Sequence, residues 1–479
     1  MLRVTPQRRW PLFDTAAVRT LETSAAAGLA PHMLMQRAGL AVARLALAMA
    51  PHARSVWIAC GPGNNGGDGM EAAVHLKQWG KQPVVTWAGD ESRAPPDALA
   101  SMRSARAAGV EFAAAPPATY DLAIDAMLGI GSSRPLDGVM LEWLEAMNTA
   151  GAPVLAVDVP SGLDADTGHG QAVRASHTLC LLGLKPGLFT AGGRDASAEV
   201  WVHDLGASID EAQATAWLAG PPGAPLRAHA SHKGSYGDVA VIGGAPGMAG
   251  AALLAASAAL HAGAGRVYAA LLDPAAITVD PSQPELMLRA WETLDISTMH
   301  VACGCGGGDA VRAVLPKVLA ASGSLVLDAD ALNAISSDTH LQNLLRSRGR
   351  RGKPTVLTPH PLEAARLLGC KTADIQSDRL RRARELCESY ESVVVLKGSG
   401  TVVAAPGTLP SVNPTGNGRL ATAGTGDVLA GMIAARLALG DAPADAARGA
   451  VFRHGLAADD WPASEALTAS ALARRQAGG

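Results

Sequence analysis

Twice along the chain, short apolar runs alternate with longer stretches of helical periodicity, and this double alternation leaves few folds open. In the first half the runs are SVWIAC (55–60), PVVTW (83–87), DLAIDAM (121–127), PVLAVDV (153–159), HTLCLLG (177–183) and EVWVHDL (199–205). Helical patterns fill 67–80, 96–108 and 137–150, and two more precede the first run, near 14–27 and 33–50. Continuous apolar runs are what strands need when helices cover both faces of a parallel sheet. The expected fold class is α/β, a doubly wound sheet whose ligands bind beyond the carboxyl ends of its strands.

The stretch AWLAGPPGAPLRAHA (216–230), with its prolines and glycines, interrupts this pattern and reads as a linker. A second alternation follows: DVAVIGG (238–244), RVYAALL (266–272), MHVACG (299–304), SLVLDAD (324–330), PTVLTP (354–359) and SVVVLKG (392–398). Helices are expected at 248–263, 309–321, 361–368, 373–389, 424–438 and 443–459. Length alone, 479 residues at roughly 150 per domain, would allow about three domains. The two alternations reduce that to two, residues 1–222 and 223–479.

Composition narrows the partners. Apolar residues are 48% of the chain and aromatics 4%, so the cores are built mainly from Ala, Leu and Val. Forty Lys and Arg against 43 Asp and Glu give a net charge of −3, with no basic excess for a nucleic acid or an anionic membrane. Six scattered cysteines are too few for a disulfide scaffold and point to a reducing compartment, the cytoplasm. The opening MLRVTPQRRWPLFDT lacks the apolar segment of a signal peptide, and the most apolar stretches are broken by Arg44 and His261.

The first constellation ends the run 55–60: Cys60-Gly61-Pro62-Gly63-Asn64-Asn65-Gly66-Gly67-Asp68-Gly69. Glycines between a strand and a helix let backbone N–H groups turn toward one point, where the helix N-terminus favours an anion. The spacing fits neither the dinucleotide fingerprint nor a P-loop. Two further strands end in Asp125 and in Asp158-Val159-Pro160-Ser161-Gly162. An Asp there either caps a turn or serves a ligand. Arg134, in the loop after Asp125, offers a fork suited to phosphate, or else a surface salt bridge. Oxygen donors from Asn65, Asp125 and Ser161 would suit K⁺ better than a soft metal.

GPGNNGGDG, FDTAAVRTLETSAAAGLAPHMLMQRAG, DAMLGIGSSRP and VDVPSGLDADTG together resemble the YjeF N-terminal domain, the NAD(P)HX epimerase family, over about 12–210. The resemblance implies a Rossmann-like α/β/α domain. It places substrate on Asn64, Asn65, Gly66, Gly67 and Asp68, and on the loop of Gly129, Ile130, Gly131, Ser132, Ser133, Arg134 and Pro135. It also implies K⁺ on Asn65, Asp125 and Ser161, with Asp158 touching substrate as the acid/base group.

In the second half, Asn413-Pro414-Thr415-Gly416-Asn417 leads into Ala423-Gly424-Thr425-Gly426-Asp427. Glycines at a helix start leave N–H groups that can neutralise a transferring phosphoryl group, with Asp427 beside them as base or as plain N-cap. His360 sits between two prolines at a strand end, fit for a substrate or for a turn. Lys397 beside two glycines fits a nucleotide phosphate or a surface hairpin.

With HKGSYGDVAVIGG and ALHAGAGRV, these motifs resemble the YjeF C-terminal domain, the NAD(P)HX dehydratase of the ribokinase-like superfamily, over about 229–460. The resemblance implies a nicotinamide pocket lined by Ala251, Gly306 and His360. It implies adenine nucleotide on Lys397, Gly398, Ser399, Gly400, Thr401 and Gly426, and Asp427 as the base at the reacting hydroxyl. One departure stands out: the family has GPGLG where this chain has Ala302-Cys303-Gly304-Cys305-Gly306. Two thiols with no further Cys or His nearby are read as packing residues.

The expected activity is repair of hydrated NADH and NADPH, by epimerisation and then dehydration, with K⁺, Mg²⁺ and ADP or ATP, in a homo-oligomer. A ribokinase-like small-molecule kinase fused to a nucleotide-binding regulatory domain is the alternative, and a noncatalytic scaffold is a third reading. An ordinary NAD oxidoreductase is disfavoured because its glycine spacing is missing.

Overall fold

The computed structural model describes residues 1–131, 135–223 and 228–475. The chain forms two compact units, Met1–Thr5 with Trp10–Trp217, and Pro6–Arg9 with Leu218–Gly479.

The first unit is built on an eight-stranded sheet. Its order is Leu2–Arg3, Glu199–His203, His177–Leu181, Val154–Val157, Leu122–Ala126, Ser55–Cys60, Gln82–Trp87 and Glu111–Ala113. All neighbours run parallel except Leu2–Arg3. Ser55–Cys60 and Leu122–Ala126 lie side by side although two strands separate them in the chain. The winding therefore reverses between them and opens a crevice at their carboxyl ends. Side chains alternate across the sheet as both faces demand. Val56, Ile58 and Cys60 join one core, while Trp57 and Ala59 join another with Trp143 and Met147 of the helix Gly138–Thr149. Trp57 is fully buried and donates its indole N–H to the Thr86 hydroxyl at 2.9 Å.

The second unit repeats the winding with different lengths. Its strands run in the order Met287–Leu288, Arg266–Leu271, Asp238–Gly243, His300–Cys303, Ser324–Leu327, Thr355–Leu357, Val393–Leu396, Val402–Ala404 and Ser411–Val412. The sheet is parallel as far as Val393–Leu396, and the last two strands are antiparallel. The reversal lies between Asp238–Gly243 and His300–Cys303. Two alanine-rich helices, Ala249–His261 and Thr425–Ala438, approach closely, and a Cβ on Gly431 would overlap the Ala255 carbonyl.

Several elements depart from the sequence reading. The helix expected at 373–389 is two helices, Thr372–Gln376 and Arg379–Tyr390, because Asp378 caps the second and accepts from Arg381 N. Thr339–Arg350 is a helix that the sequence reading left out; it is polar overall, with a short apolar face that buries Leu341 and Leu345. It is pinned also by Arg348, fully buried and donating to Thr355 Oγ1 and to the carbonyls of Ser322 and Pro354. The stretch 216–230 opens on a strand, Ala216–Leu218, which neighbours Trp10–Leu12. Among the described residues, no helix is long and apolar enough to cross a membrane.

Candidate active sites

The first site occupies the crevice of the first sheet. Asn64 to Asp68, expected as a loop, form the first turn of the helix Asn64–Gln78; Gly63 stands at its N-cap, and no side chain caps it. The first-turn N–H groups are thus left for an anion. The glycines have a different reason from the one the sequence offered. A Cβ on Gly61 would overlap the Met127 carbonyl oxygen, and one on Gly66 the Gly61 carbonyl oxygen. On Gly67 it would lie 2.6 Å from the Met35 sulfur, and on Gly69 2.6 Å from the Ala126 Cβ. None of these glycines takes a left-handed conformation. They let the helix sit hard against the strand ends, and Gly63 alone of the cluster borders open space.

Asp125 is fully buried at the end of its strand. It accepts from Ser161 Oγ at 2.5 Å and from Ser161 N at 2.8 Å. Burial pushes its carboxyl up to about 6, against the hydrogen bonds from Ser161 and Met127, and no charged neighbour compensates it. A buried carboxylate among hydroxyl and carbonyl oxygens fits a monovalent cation. Asn65 keeps a buried amide nitrogen without a partner, so its side chain has capacity for a ligand. A Cβ on Gly129 would stand 3.4 Å from both Asn65 Oδ1 and Asp158 Oδ2, so these two groups face each other across that glycine.

Asp158 has φ +70°, a strained conformation for a residue with a side chain. Its carboxylate accepts from Leu181 N at 3.2 Å and from the ammonium of Lys185, which is completely buried and also donates to the Leu181 carbonyl at 2.9 Å. Burial alone would lower the Lys185 ammonium, but Asp158, together with Cys180 and Glu22, more than reverses this and leaves it raised. Glu22 and Asp68 complete an acidic group around the pair. Burial first, then repulsion from Asp158, Glu22 and Glu71, holds the Asp68 carboxyl well above its usual range. Lys185 and Glu22 escaped the sequence reading. LGLKPG follows a strand run and carries a charge where an apolar fold has no use for one, a signal available but unused.

Of the remaining expected residues, Ile130 packs against Phe13, Val18 and Leu21, while Gly131 and Pro135 are exposed. Ser132, Ser133 and Arg134 lie outside the described residues.

The second site lies at the reversal of the second sheet. Three glycines after His300–Cys303 are left-handed: Gly304 (φ +119°), Gly306 (φ +58°) and Gly308 (φ +50°). A Cβ on Gly306 would lie 2.7 Å from the Met248 carbonyl oxygen and 2.9 Å from the Ala251 Cβ, so Ala251 and Gly306 share one wall. Asp427 is in the first turn of Thr425–Ala438, a helix without a side-chain cap. Burial first, then Asp328, pushes its carboxyl up to about 6. Gly426 faces Lys397, whose Nζ is 3.3 Å from where a Cβ would be.

Lys397 donates to Asp328 Oδ1 at 2.6 Å, and Thr358 Oγ1 donates to the same oxygen at 2.8 Å. Asp328 escaped the sequence reading: SLVLDAD reads as strand throughout, whereas the strand stops at Leu327 and Asp328 stands at the N-cap position of the helix Ala329–Ser336 without a side-chain cap bond. The 397–401 turn depends on its glycines, with Gly398 at φ +138° and Gly400 at φ +60°. Behind it, the buried Arg379 donates to the carbonyls of Leu396 and Lys397 at 3.0 and 3.1 Å, and Thr401 Oγ1 donates to the Gly398 carbonyl at 3.0 Å. Ser399 lies in the same turn, exposed. His360 is the N-cap of Pro361–Leu368, with Glu363 closing the capping box, and its ring remains half exposed. Cys303 and Cys305 are both buried, but Cys305 Sγ lies within 4.8 Å of carboxylate oxygens of Asp328 and Asp427.

Residues 239–476 match the family described as NAD(P)H-hydrate dehydratase, and residues 31–187 the YjeF-related protein N-terminus. The chain is 35% identical over 469 residues to the bifunctional NAD(P)H-hydrate repair enzyme Nnr of Coxiella burnetii, covering 94% of each protein. It is 37% identical over 458 residues to the Escherichia coli enzyme of the same name, covering 90% of this chain and 85% of that one. The ADP-dependent (S)-NAD(P)H-hydrate dehydratase of Neisseria meningitidis is 44% identical over 254 residues, 52% of this chain and 84% of that protein.

Proposed function

The chain belongs to the bifunctional NAD(P)H-hydrate repair enzymes, and we propose that its first unit epimerises hydrated NADH and NADPH while its second dehydrates them. NAD(P)H hydrated at the 5,6 double bond carries a hydroxyl on C6 in either configuration. In the first unit Asp158, held by Lys185, takes the hydroxyl proton as the ring N–C6 bond opens and returns it on closure from the other face. The uncapped helix start at Asn64 to Asp68 holds a dinucleotide phosphate. Bound K⁺ would supply positive charge beside that phosphate, with Asn65, Asp125 and Ser161 as its ligands.

In the second unit Asp427 takes the C6 hydroxyl proton as the oxygen attacks the terminal phosphoryl group of ADP or ATP. The N–H groups of Gly424 to Gly426 stabilise the charge on that phosphoryl group, and Lys397 anchors the nucleotide. Magnesium, when bound with the nucleotide, supplies the remaining charge neutralisation. Phosphate then leaves C6 and a proton leaves C5, which restores the double bond. Phosphorylation is needed because hydroxide is a poor leaving group. We place this chemistry in the cytoplasm, where six free cysteines persist, and in a homo-oligomer.

The observation that carries this reading is Asp427 in the first turn of an uncapped helix, facing the Lys397–Asp328 pair. The test supplies synthetic NADHX, Mg²⁺ and ADP or ATP and follows recovery of reduced nicotinamide absorbance. Recovery is expected, with inorganic phosphate released. A stable phosphorylated alcohol would instead favour a small-molecule kinase, and no turnover with either nucleotide would sink the dehydratase assignment.

A further inference from the structure

Cys305 takes no part in the chemistry above, yet it is the one thiol that meets two carboxylates among the described residues. We propose that Cys305, Asp328 and Asp427 form a site for a thiophilic divalent cation such as Zn²⁺, and that the ion shuts off dehydration. The ligand atoms, one sulfur and one oxygen from each carboxylate, all lie within 4.8 Å of one another. Tetrahedral zinc, with bonds of about 2.3 Å to sulfur and 2.0–2.2 Å to oxygen, sets its ligands roughly 3.3–3.7 Å apart. Side-chain shifts of about 1 Å close the set.

The three ligands come from separate, well-anchored segments. Cys305 stands between two left-handed glycines, and its carbonyl accepts from Gly244 N at 3.0 Å. Asp328 N donates to the Cys303 carbonyl at 3.1 Å. Lys397 and Thr358 both use Asp328 Oδ1, which leaves Oδ2 for an ion. Asp427 is the least buried of the three, so an ion enters on its side.

Charge and softness select the ion. A thiolate and two carboxylates balance one divalent cation plus the Lys397 ammonium. One soft and two hard donors favour Zn²⁺, Co²⁺ or Cd²⁺ over Mg²⁺ or K⁺, which take oxygen. Binding releases the Cys305 proton, forms the metal–sulfur bond and occupies the Asp427 lone pair that would accept the substrate proton. The inhibitory half rests on the proposed role of Asp427, whereas the binding half does not.

Metal-free full-length protein is titrated with Co²⁺, following thiolate-to-cobalt charge-transfer absorption, and Zn²⁺ is then used to displace it. Dehydration is measured in parallel at buffered free Zn²⁺, each variant normalised to its own metal-free rate. One equivalent of Co²⁺ should produce the band, Cys305→Ser should lack it, and the half-inhibiting Zn²⁺ concentration should rise on the order of 100-fold in that variant. No band in the native protein, or the same band and inhibition in Cys305→Ser, overturns the site. A band lost in Cys305→Ser together with undiminished dehydration at saturating Zn²⁺ overturns the inhibitory half and removes Asp427 as the base.

Discussion

A fully buried ammonium persists only where a carboxylate meets it, and Lys185 meets Asp158. Asp158 is in turn held in a left-handed conformation that a side chain resists. Replacing Lys185 by Met removes the ammonium that pins the Asp158 carboxylate, leaving only the Leu181 N–H to position the base. Lys185→Met should therefore slow epimerisation by roughly 10²–10⁴-fold, the range for losing a general base. Dehydration of the (S) epimer should stay at its native rate, which serves as the folding control. Epimerisation at the native rate would reduce Lys185 to a packing residue. At this scale the sequence was legible where an Asp ended a strand, as at Asp125 and Asp158. It was opaque at Lys185, Glu22 and Asp328, because a buried charge becomes meaningful only when its partner, far away in sequence, is known.

Between elements, fastening depends on groups that periodicity does not reveal. The helices Pro443–Asp459 and Thr425–Ala438 are joined by His454, whose buried ring is 2.9 Å from the Thr425 carbonyl. Burial lowers the His454 imidazole from 6.5 to about 4. Below pH 6.5 the unfolded chain takes a proton that the folded chain refuses. The stabilising effect is therefore complete above pH 6.5 and is lost as pH falls toward 4. By pH 5 this amounts to about 2 kcal/mol. Urea midpoints of native protein and His454→Gln, compared from pH 7 to 5, should show the steeper decline in the native protein; parallel declines would refute the assignment. Strands and most helices were legible from their apolar runs, since burial on both sheet faces leaves a local mark. Thr339–Arg350 was not, because its apolar stripe is short, Leu341 and Leu345 being its buried leucines, and the rest of its anchorage is the carbonyls and hydroxyl that Arg348 binds. The glycine cluster at 61–69 was seen, but the crowding by Met127, Met35 and Ala126 that also demands glycine there was not legible, being a tertiary fact.

For the whole molecule, two reversed windings in one chain suit two reactions on one substrate pair. Each reversal puts an Asp at an uncapped helix start or strand end. A division of labour then has a kinetic signature that neither unit has by itself. Given a mixture of both epimers with ADP and Mg²⁺, the native chain should consume all of it. Asp158→Ala should recover the (S) fraction at the native rate and then stall, with the (R) fraction slowed by about 100-fold or more. Asp427→Ala should recover neither epimer while still interconverting them, which chromatography of the remaining hydrate detects. Because the (S) epimer is released as a diffusible product, mixing the two variant proteins should restore complete recovery. Full consumption of both epimers by either variant alone would break the assignment of that residue. Failure of the mixture, with each variant retaining its own partial reaction, would mean that the hydrate passes between sites without release.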